Sequence, residues 1–223
     1  IEDCAFYTIG QLAHLIRTKQ VTSLELTTMY LERLKRHGPT LECVVTLTEE
    51  LALKQARRAD KNIKAGRYLG PLHGIPYGAK DLLAVPGYKT TWGAMTHKDQ
   101  VLDETATVVQ KLEDAGAVLL AKLTLGALAW GDVWYGGKTR NPWNTERTSG
   151  GSSGGAGAAV VAGLCSLATG SDGGGSIRIP ASFCGVYGIK PTLGRVPRYS
   201  GASAPALANH FSQSGPLTRT VRD

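Results

Sequence analysis

A crowding of glycines between residues 150 and 175 constrains this chain more than any other feature. The chain has 28 glycines in 223 residues, and many fall in two runs. These are residues 150–155 (Gly-Gly-Ser-Ser-Gly-Gly) and residues 170–176 (Gly-Ser-Asp-Gly-Gly-Gly-Ser). Glycine clusters mark backbone that adopts positive φ or that approaches a ligand closely. Because the crowding is local, it indicates a site within a globular chain and not a low-complexity protein.

Patterns on both sides of these runs predict an α/β fold. Thr8-Ile9-Gly10-Gln11 and Thr22-Ser23-Leu24-Glu25 are capping boxes that precede apolar helical stripes. We expect strands over residues 41–47, 117–123 and 164–169, and further helices over residues 49–64, 104–115 and 156–162. The alternation predicts a mixed β-sheet flanked by helices, built as one domain over residues 1–223. Residues 72–76 are predicted to be turn-rich and to lead to Lys80.

The charge pattern disfavours a nucleic-acid-binding protein. The net charge is +7, from 25 basic and 18 acidic residues, which is a mild preference for anionic partners. The densest basic set lies between Lys54 and Arg67 at helical spacing behind Glu49 and Glu50. No aromatic residue is interleaved with these charges, so a solvated helix face explains them better than a nucleic-acid patch.

Cysteine spacing and hydropathy argue against a metal site and a membrane span. Cys4, Cys43, Cys165 and Cys184 form no Cys-x-x-Cys pair and no zinc-type cluster with histidine. Cys165 and Cys184 lie among apolar or small residues, which predicts buried, inert thiols in a reducing compartment. The longest apolar stretch, residues 156–168, is interrupted by a glycine and is too short to cross a membrane. With no secretory signal in view, we expect a cytoplasmic location.

Both ends of the chain predict that it is part of a longer protein. It begins at Ile1 and not at a methionine. It ends at Thr220-Val221-Arg222-Asp223, a capping-box pattern that normally announces a helix. We therefore expect the N-terminal portion of a domain whose C-terminal remainder is missing.

The run at residues 150–155 allows three interpretations from residues alone. It can be a flexible loop, or a phosphate cradle that opens the helix at Ala156, but no Gly-Lys-Ser/Thr follows, which disfavours a P-loop. It also satisfies Gly-x-Ser-x-Gly around Ser153, the nucleophile elbow of α/β-hydrolases. Residues 144–149 before it are not strand-like, and only His210 follows as a base, so we disfavour the elbow.

Three segments in order give the chain a family resemblance: Gly-Ile-Pro-Tyr-Gly-Ala-Lys-Asp at residues 74–81, the run at residues 150–155, and Gly-Ser-Asp-Gly-Gly-Gly-Ser-Ile-Arg-Ile-Pro at residues 170–180. Together they resemble the amidase signature family, from about residue 8 to the end of the chain. The resemblance implies the amidase signature fold. It also implies hydrolysis of a carbon–nitrogen amide bond through an acyl-enzyme, without metal or cofactor.

The resemblance implies a serine–serine–lysine relay as the catalytic group. An amide needs an activated hydroxyl for attack and a proton for its leaving nitrogen. By resemblance, Ser176 is the nucleophile and Ser152 is the bridging serine that passes its proton to Lys80 and later protonates the leaving amine. Lysine serves as a base only when burial among neutral groups lowers its pKa. Asp81 opposes that lowering unless its side chain points away.

The remaining motif residues receive supporting roles. The backbone N–H groups of Gly173, Gly174 and Gly175 are predicted to bind the oxyanion, together with that of Ser176. Asp172 and Arg178 are predicted to form an ion pair or a hydrogen-bond frame that shapes this loop, in preference to a direct role with the substrate. The family also implies a cis peptide bond before Ser152.

Three functional hypotheses remain from the sequence. The first is a stand-alone amidase that takes a small-molecule amide, and for which we leave a homodimer open. The second is the amidase-like subunit of a glutamyl-tRNA(Gln) amidotransferase. Many members of that branch carry Gly-Lys-x-Asn-x-x-Glu-Phe-like residues where this chain has Ala-Lys-Leu-Thr-Leu-Gly-Ala-Leu at residues 121–128, which favours the first. The third is a non-catalytic binding protein, which the presence of Lys80, Ser152 and Ser176 disfavours.

Two further expectations concern the surroundings of the site. We expect His73 to lie near it, without an assigned role. Five aromatic residues are candidates either for an aromatic wall of the substrate pocket or for core packing: Trp92, Trp130, Trp134, Tyr135 and Trp143.

Overall fold

The structure is a computed structural model that describes residues 1–201 and 211–223; His210 lies outside the described residues. The helices are α1 (Ile9–Arg17), α2 (Ser23–Leu41), α3 (Glu49–Lys64), α4 (Thr107–Asp114), α5 (Gly154–Val161) and α6 (Arg178–Cys184). The strands are β1 (Val44–Leu47), β2 (Pro76–Lys80), β3 (Val118–Leu123), β4 (Val133–Trp134), β5 (Gly137–Lys138), β6 (Arg140–Asn141), β7 (Asn144–Thr148), β8 (Leu167–Asp172), β9 (Tyr187–Gly188) and β10 (Gln213–Thr218).

A six-stranded sheet in the order β1-β3-β2-β8-β10-β9 forms the centre of the fold. Strands β3, β2 and β8 run parallel to one another. Strands β1 and β10 join this parallel centre in antiparallel fashion. The sheet is therefore mixed and is covered by helices, as the sequence predicts. Two short ribbons, β4-β5 and β6-β7, lie outside it.

Local sequence signals explain where the first helices begin. Thr8 caps α1 and Thr22 caps α2, and both complete the predicted capping box with Gln11 and Glu25 respectively. Losing such a cap typically costs about 1 kcal/mol of stability. Helix α3 has the predicted bounds. Helix α4 is shorter than predicted, and β1 begins at Val44.

The expectation that residues 144–149 are not strand-like is wrong, because Asn144–Thr148 form β7 by pairing with β6. Strand β2 is likewise not predicted by the sequence pattern. Pro76 and Gly78 are poor strand formers, and the pattern before Lys80 indicates turns. All five residues of β2 are nevertheless buried. Pro76 is the first residue of the strand, where its missing N–H is tolerated. A side chain at Gly78 would overlap Leu123 of β3, so the glycine permits close packing with the neighbouring strand. Tertiary packing here outweighs β-propensity.

The parallel strands bring the sequence motifs to one edge of the sheet. Lys80 is the last residue of β2, and Asp172 is the last residue of β8. Strand β8 extends to Asp172, beyond its predicted end at residue 169. In open α/β sheets, ligands bind beyond the carboxyl ends of parallel strands, which is where the two glycine runs meet. No helix within the described residues is long and apolar enough to cross a membrane.

Candidate active site

Lys80 lies at the centre of a cluster of neutral hydroxyl groups. Its side chain is buried, and its Nζ atom donates to the Oγ atoms of Ser152 (2.8 Å), Ser153 (2.9 Å) and Ser171 (2.9 Å). Burial penalises the ammonium form and lowers the pKa of Lys80 to about 7, although the charge of Asp172 opposes the shift. The residue can therefore exchange a proton near neutral pH.

The loop that carries Ser152 is held by close backbone packing. A side chain at Gly151 would overlap the carbonyl oxygen of Gly131, and Gly126 N–H donates to the Ser152 carbonyl (3.0 Å). Ser153 N–H donates to the Ser176 carbonyl (3.1 Å), which ties this loop to the second glycine run. The peptide bond between Gly151 and Ser152 is cis, as the resemblance implies.

The carboxylate of Asp172 shapes the loop that carries Ser176. It accepts hydrogen bonds from the N–H groups of Gly175 (2.7 Å) and Ile177 (3.1 Å). It also accepts from Nε (2.9 Å) and Nη2 (3.0 Å) of Arg178, so the predicted ion pair is present. Burial would raise the pKa of Asp172, but these hydrogen bonds, led by Arg178, hold it well below its usual range.

The N–H groups near Ser176 differ in their availability for an oxyanion. Gly175 N–H already donates to Asp172. The N–H groups of Gly173, Gly174 and Ser176 donate to no other described residue. These three N–H groups are therefore available for another acceptor. Gly175, which has a φ of 119°, fastens the loop to Asp172 through its N–H group.

The predicted relay is only partly joined by hydrogen bonds. Lys80 and Ser152 are in contact, whereas no hydrogen bond between the side chains of Ser152 and Ser176 is formed among the described residues. Catalytic hydrogen bonds are often long or absent until substrate is bound. Gly151 and Ser176 both line the same cleft.

This cleft has a volume of about 910 Å³. It is lined by Ser171, Gly173, Gly174 and Ser176 of the second glycine run and by further residues, here called the wall, that include Leu128, Ala129, Trp130, Gly131, Asp132, Ile179, Phe183 and Phe211. Most wall residues are apolar. Asp132 supplies a carboxylate, which lies 3.7 Å from the Nζ atom of Lys138. The described lining of the cleft around Ser176 is therefore largely apolar, with one carboxylate.

Of the five aromatic candidates for a wall of the substrate pocket, one lines the described part of the cleft. Trp130 lines the cleft and is 85% exposed. Trp92 contacts His97, Trp134 contacts Tyr135, and the Trp143 Nε1–H donates to the Cys184 carbonyl (2.8 Å). None of these other candidates is among the described residues that line the cleft, and Trp143 is itself 74% exposed.

The expectation that His73 lies near the site is wrong. His73 precedes the first residue of β2, whereas Lys80 ends that strand, so the two occupy opposite ends of the sheet. His73 is buried beside Gly116, accepts a hydrogen bond from Leu69 N–H (3.0 Å) and lines a separate cavity with Gln55 and Arg58.

Three groups in contact with Lys80 or with its neighbour Asp81 are not predicted from the sequence. The sequence suggests Ser153 only as an elbow nucleophile and suggests no role for Ser171, yet both accept from Lys80. The third group is Lys122, a fully buried lysine that pairs with Asp81. A lysine within an otherwise apolar predicted strand is a usable signal, because buried lysines are almost always paired.

The four cysteines are free and buried. Burial raises the pKa of the Cys165 and Cys184 thiols to about 12, which agrees with inert thiols. Within the described residues, no group of three or more histidine, cysteine or acidic side chains is arranged to hold a metal ion.

Comparison with known proteins gives a family and several relatives. A sequence model of the family Amidase matches residues 25–223. The chain is 46% identical over 220 residues to a glutamyl-tRNA(Gln) amidotransferase subunit of Hahella chejuensis, covering 97% of this chain and 45% of that protein. It is 44% identical to the corresponding protein of Moorella thermoacetica, covering 98% and 45% respectively. The chain thus spans less than half the length of these relatives.

Solved structures of amidases share this fold. The peptide amidase of Stenotrophomonas maltophilia superposes with a TM-score of 0.89 at 36% identity, covering 100% of this chain and 47% of that one. Fatty acid amide hydrolase gives a TM-score of 0.92 at 30% identity, with coverages of 99% and 40%.

Proposed function

Because the chain belongs to the amidase family, we propose that the whole protein cleaves a carbon–nitrogen amide bond through an acyl-enzyme on Ser176. The observation that carries this proposal is the environment of Lys80. A buried lysine that donates to three neutral hydroxyls, and whose pKa is lowered to about 7, can be a neutral base near physiological pH.

The proposed first step is attack by Ser176 on the amide carbonyl carbon. Neutral Lys80 accepts the proton of Ser152, and Ser152 accepts the proton of Ser176 as its oxygen bonds to carbon. The Ser152 hydroxyl then donates its proton to the amide nitrogen and recovers a proton from the Lys80 ammonium, which becomes neutral again. The carbon–nitrogen bond breaks, the carbonyl re-forms as an ester on Ser176, and ammonia or an amine leaves. Water repeats the sequence on the ester, and the carboxylic acid is released.

The negative charge that develops on the carbonyl oxygen needs donors that are already in place. The N–H groups of Gly173, Gly174 and Ser176 are proposed to supply them. One donor of this kind typically contributes about 2.7–4 kcal/mol to transition-state stabilisation. Asp172 supports this role indirectly, since it holds the Gly175 and Ile177 N–H groups that flank Ser176.

The curated relatives favour one use of this chemistry. The glutamyl-tRNA(Gln) amidotransferase proteins are similar over nearly all of this chain, so we propose that the whole protein releases ammonia from an amide donor as part of such an enzyme. In that role it acts with partner subunits and with aminoacyl-tRNA. The free thiols of all four cysteines suit the reducing cytoplasm, where this reaction would occur.

A second candidate, a stand-alone amidase, is favoured by the cleft wall. Leu128 lines the cleft and is 62% exposed. Ile179 and Phe183 add further apolar surface. Such a wall suits an apolar acyl group better than the polar, charged body of glutamine.

The test uses the full-length protein and a fluorophosphonate probe, with mass spectrometry to locate the label. We expect one label on Ser176; labelling at another residue rejects the mechanism. A panel of glutamine, aliphatic amides and aromatic amides, with and without the candidate partner subunits, then separates the two uses. Glutamine hydrolysis that requires partners favours the amidotransferase, and partner-independent hydrolysis of apolar amides favours the stand-alone amidase.

A further inference from the structure

Two buried lysines lie on neighbouring strands but point to opposite faces of the sheet. Strands β2 and β3 pair in parallel, with Ala79 opposite Lys122 and Lys80 opposite Leu123. Paired residues of neighbouring strands share a face, and consecutive residues alternate. Lys80 therefore faces the serine cluster, and Lys122 faces the other side of the sheet.

Asp81 follows Lys80 directly but sends its carboxylate to the face of Lys122. Its Oδ1 atom accepts from Lys122 Nζ (2.7 Å), and its Oδ2 atom accepts from the N–H (2.9 Å) and Oγ1–H (2.5 Å) of Thr91. Lys122 Nζ also donates to the Lys89 carbonyl (2.9 Å) and to Thr90 Oγ1 (3.0 Å). Both side chains of the pair are 0% exposed.

A contribution to the stability of the fold explains the buried Asp81–Lys122 pair only weakly. A buried ion pair often contributes no more than well-packed apolar residues of similar size, because both charges lose their hydration. Removing one partner is costly, since it leaves the other charge buried and unpaired. The position of this pair, one residue from Lys80, gives it a second consequence. An unpaired carboxylate at Asp81 would be the negative charge nearest along the chain to the proposed base.

We propose that Lys122 is a positioning residue for amide cleavage: it holds the Asp81 carboxylate on the far face of the sheet, so that Lys80 keeps only neutral hydroxyl partners and can work as a neutral base. This inference rests on the proposed function. It assigns Lys122 no contact with substrate, because the residue is fully buried on the opposite face.

The charged groups around these residues determine whether loss of Lys122 raises or lowers the pKa of Lys80. The charge of Asp172 opposes the lowering of the Lys80 pKa that burial causes, but Arg178 already pairs with Asp172. Tyr135 faces Asp81; burial and then the Asp81 charge raise the pKa of that phenol. Lys89 pairs with Asp99 at 2.8 Å. Lys122 is therefore the cation that compensates Asp81 directly.

The experiment measures the rate of fluorophosphonate labelling of Ser176 against pH in the full-length protein. For the wild type, the rate should fall below about pH 7, where Lys80 becomes protonated. This fall at low pH is the acid limb of the rate profile. In Lys122→Met, the uncompensated Asp81 should raise the pH of the acid limb by about one unit. In the double variant Asp81→Asn/Lys122→Met, which removes both charges, the limb should return to the wild-type position.

Thermal unfolding separates positioning from a purely structural role. A structural role predicts lower melting temperatures with an unmoved acid limb, and that result in a folded Lys122→Met protein overturns the inference. Equal upward shifts in the single and double variants also overturn it. If Lys122→Met does not fold, the Asp81→Asn variant is measured instead. The inference requires that the acid limb of its labelling rate stay in place or move to lower pH, and a move to higher pH rejects it. Failure of the proposed function looks different, because the wild type would then label elsewhere or show no acid limb.

Discussion

The Nζ atom of Lys80 lies 2.8 Å from the Oγ atom of Ser152, and both atoms belong to buried residues. The contact joins the end of β2 to the loop before α5, two segments that are far apart in the sequence. It is the shortest of the three hydrogen bonds that Lys80 donates to serine hydroxyls. The site therefore has a lysine whose proton can leave only towards neutral oxygen atoms.

Lys80→Met tests the base directly. The variant keeps an unbranched side chain but cannot accept a proton, so Ser176 labelling at pH 7–8 should fall by about 10²–10⁴-fold, the usual contribution of general-base catalysis. Rates of labelling in the full-length wild type and variant check this. A folded variant with normal labelling contradicts the proposed base.

The same substitution should stabilise the fold, with a pH dependence of known sign. Burial lowers the pKa of Lys80 from 10.5 to about 7, so between these values the unfolded chain binds more protons than the folded one. Wild-type stability from this group therefore rises with pH across that window. Lys80→Met removes this dependence, and its advantage in melting temperature should be larger at pH 6 than at pH 9. An advantage that grows with pH contradicts the assignment.

Ser153→Ala removes a hydroxyl that contacts Lys80 but has no proposed role in proton transfer. Removing a neutral acceptor destabilises the ammonium form, so the pKa of Lys80 should fall and the acid limb of the rate should move to lower pH. A typical hydrogen bond of about 0.5–1.5 kcal/mol predicts a shift of up to about one pH unit.

Ser152→Ala is the matched comparison for that variant, because it also removes one acceptor of Lys80. It should abolish most labelling at every pH, since Ser152 is the proposed proton carrier. If Ser153→Ala and Ser152→Ala lose activity equally, the bridging role of Ser152 is not specific and the relay is wrong.

The motif residues could be predicted from the sequence because each lies within a short, characteristic segment. Lys80, Ser152 and Ser176 fall in three such segments, and the Asp172–Arg178 ion pair is six residues apart in one of them. Strand β3 and helix α3 were also predictable, because β3 lies in an apolar run and α3 carries its charges at helical spacing.

The groups that only the structure reveals have no periodic signature. Ser171 contacts Lys80 because β8 and β2 are neighbours in the sheet, and a glycine-rich segment does not encode that pairing. Strand β2 escapes prediction because Gly78 fits against Leu123, a packing effect that propensity does not include. The sequence shows that the Asp81 carboxylate could raise the pKa of Lys80. It does not show the partner of Asp81, because Lys122 lies 41 positions away.

Gly151→Ala and Gly174→Ala form a matched pair that tests the packing of the two glycine runs. A methyl group at Gly151 would overlap the Gly131 carbonyl oxygen, whereas one at Gly174 would meet no atom within 4 Å. Overpacking of this kind typically costs about 1–3 kcal/mol, which lowers the melting temperature of a chain of this size by several degrees. We therefore expect Gly151→Ala to unfold earlier than the wild type and Gly174→Ala to unfold at the same temperature. Labelling of Ser176 should fall in Gly151→Ala, because the loop that carries Ser152 must move away from Gly131. Equal melting temperatures for the two variants would contradict the close approach of Gly151 to Gly131.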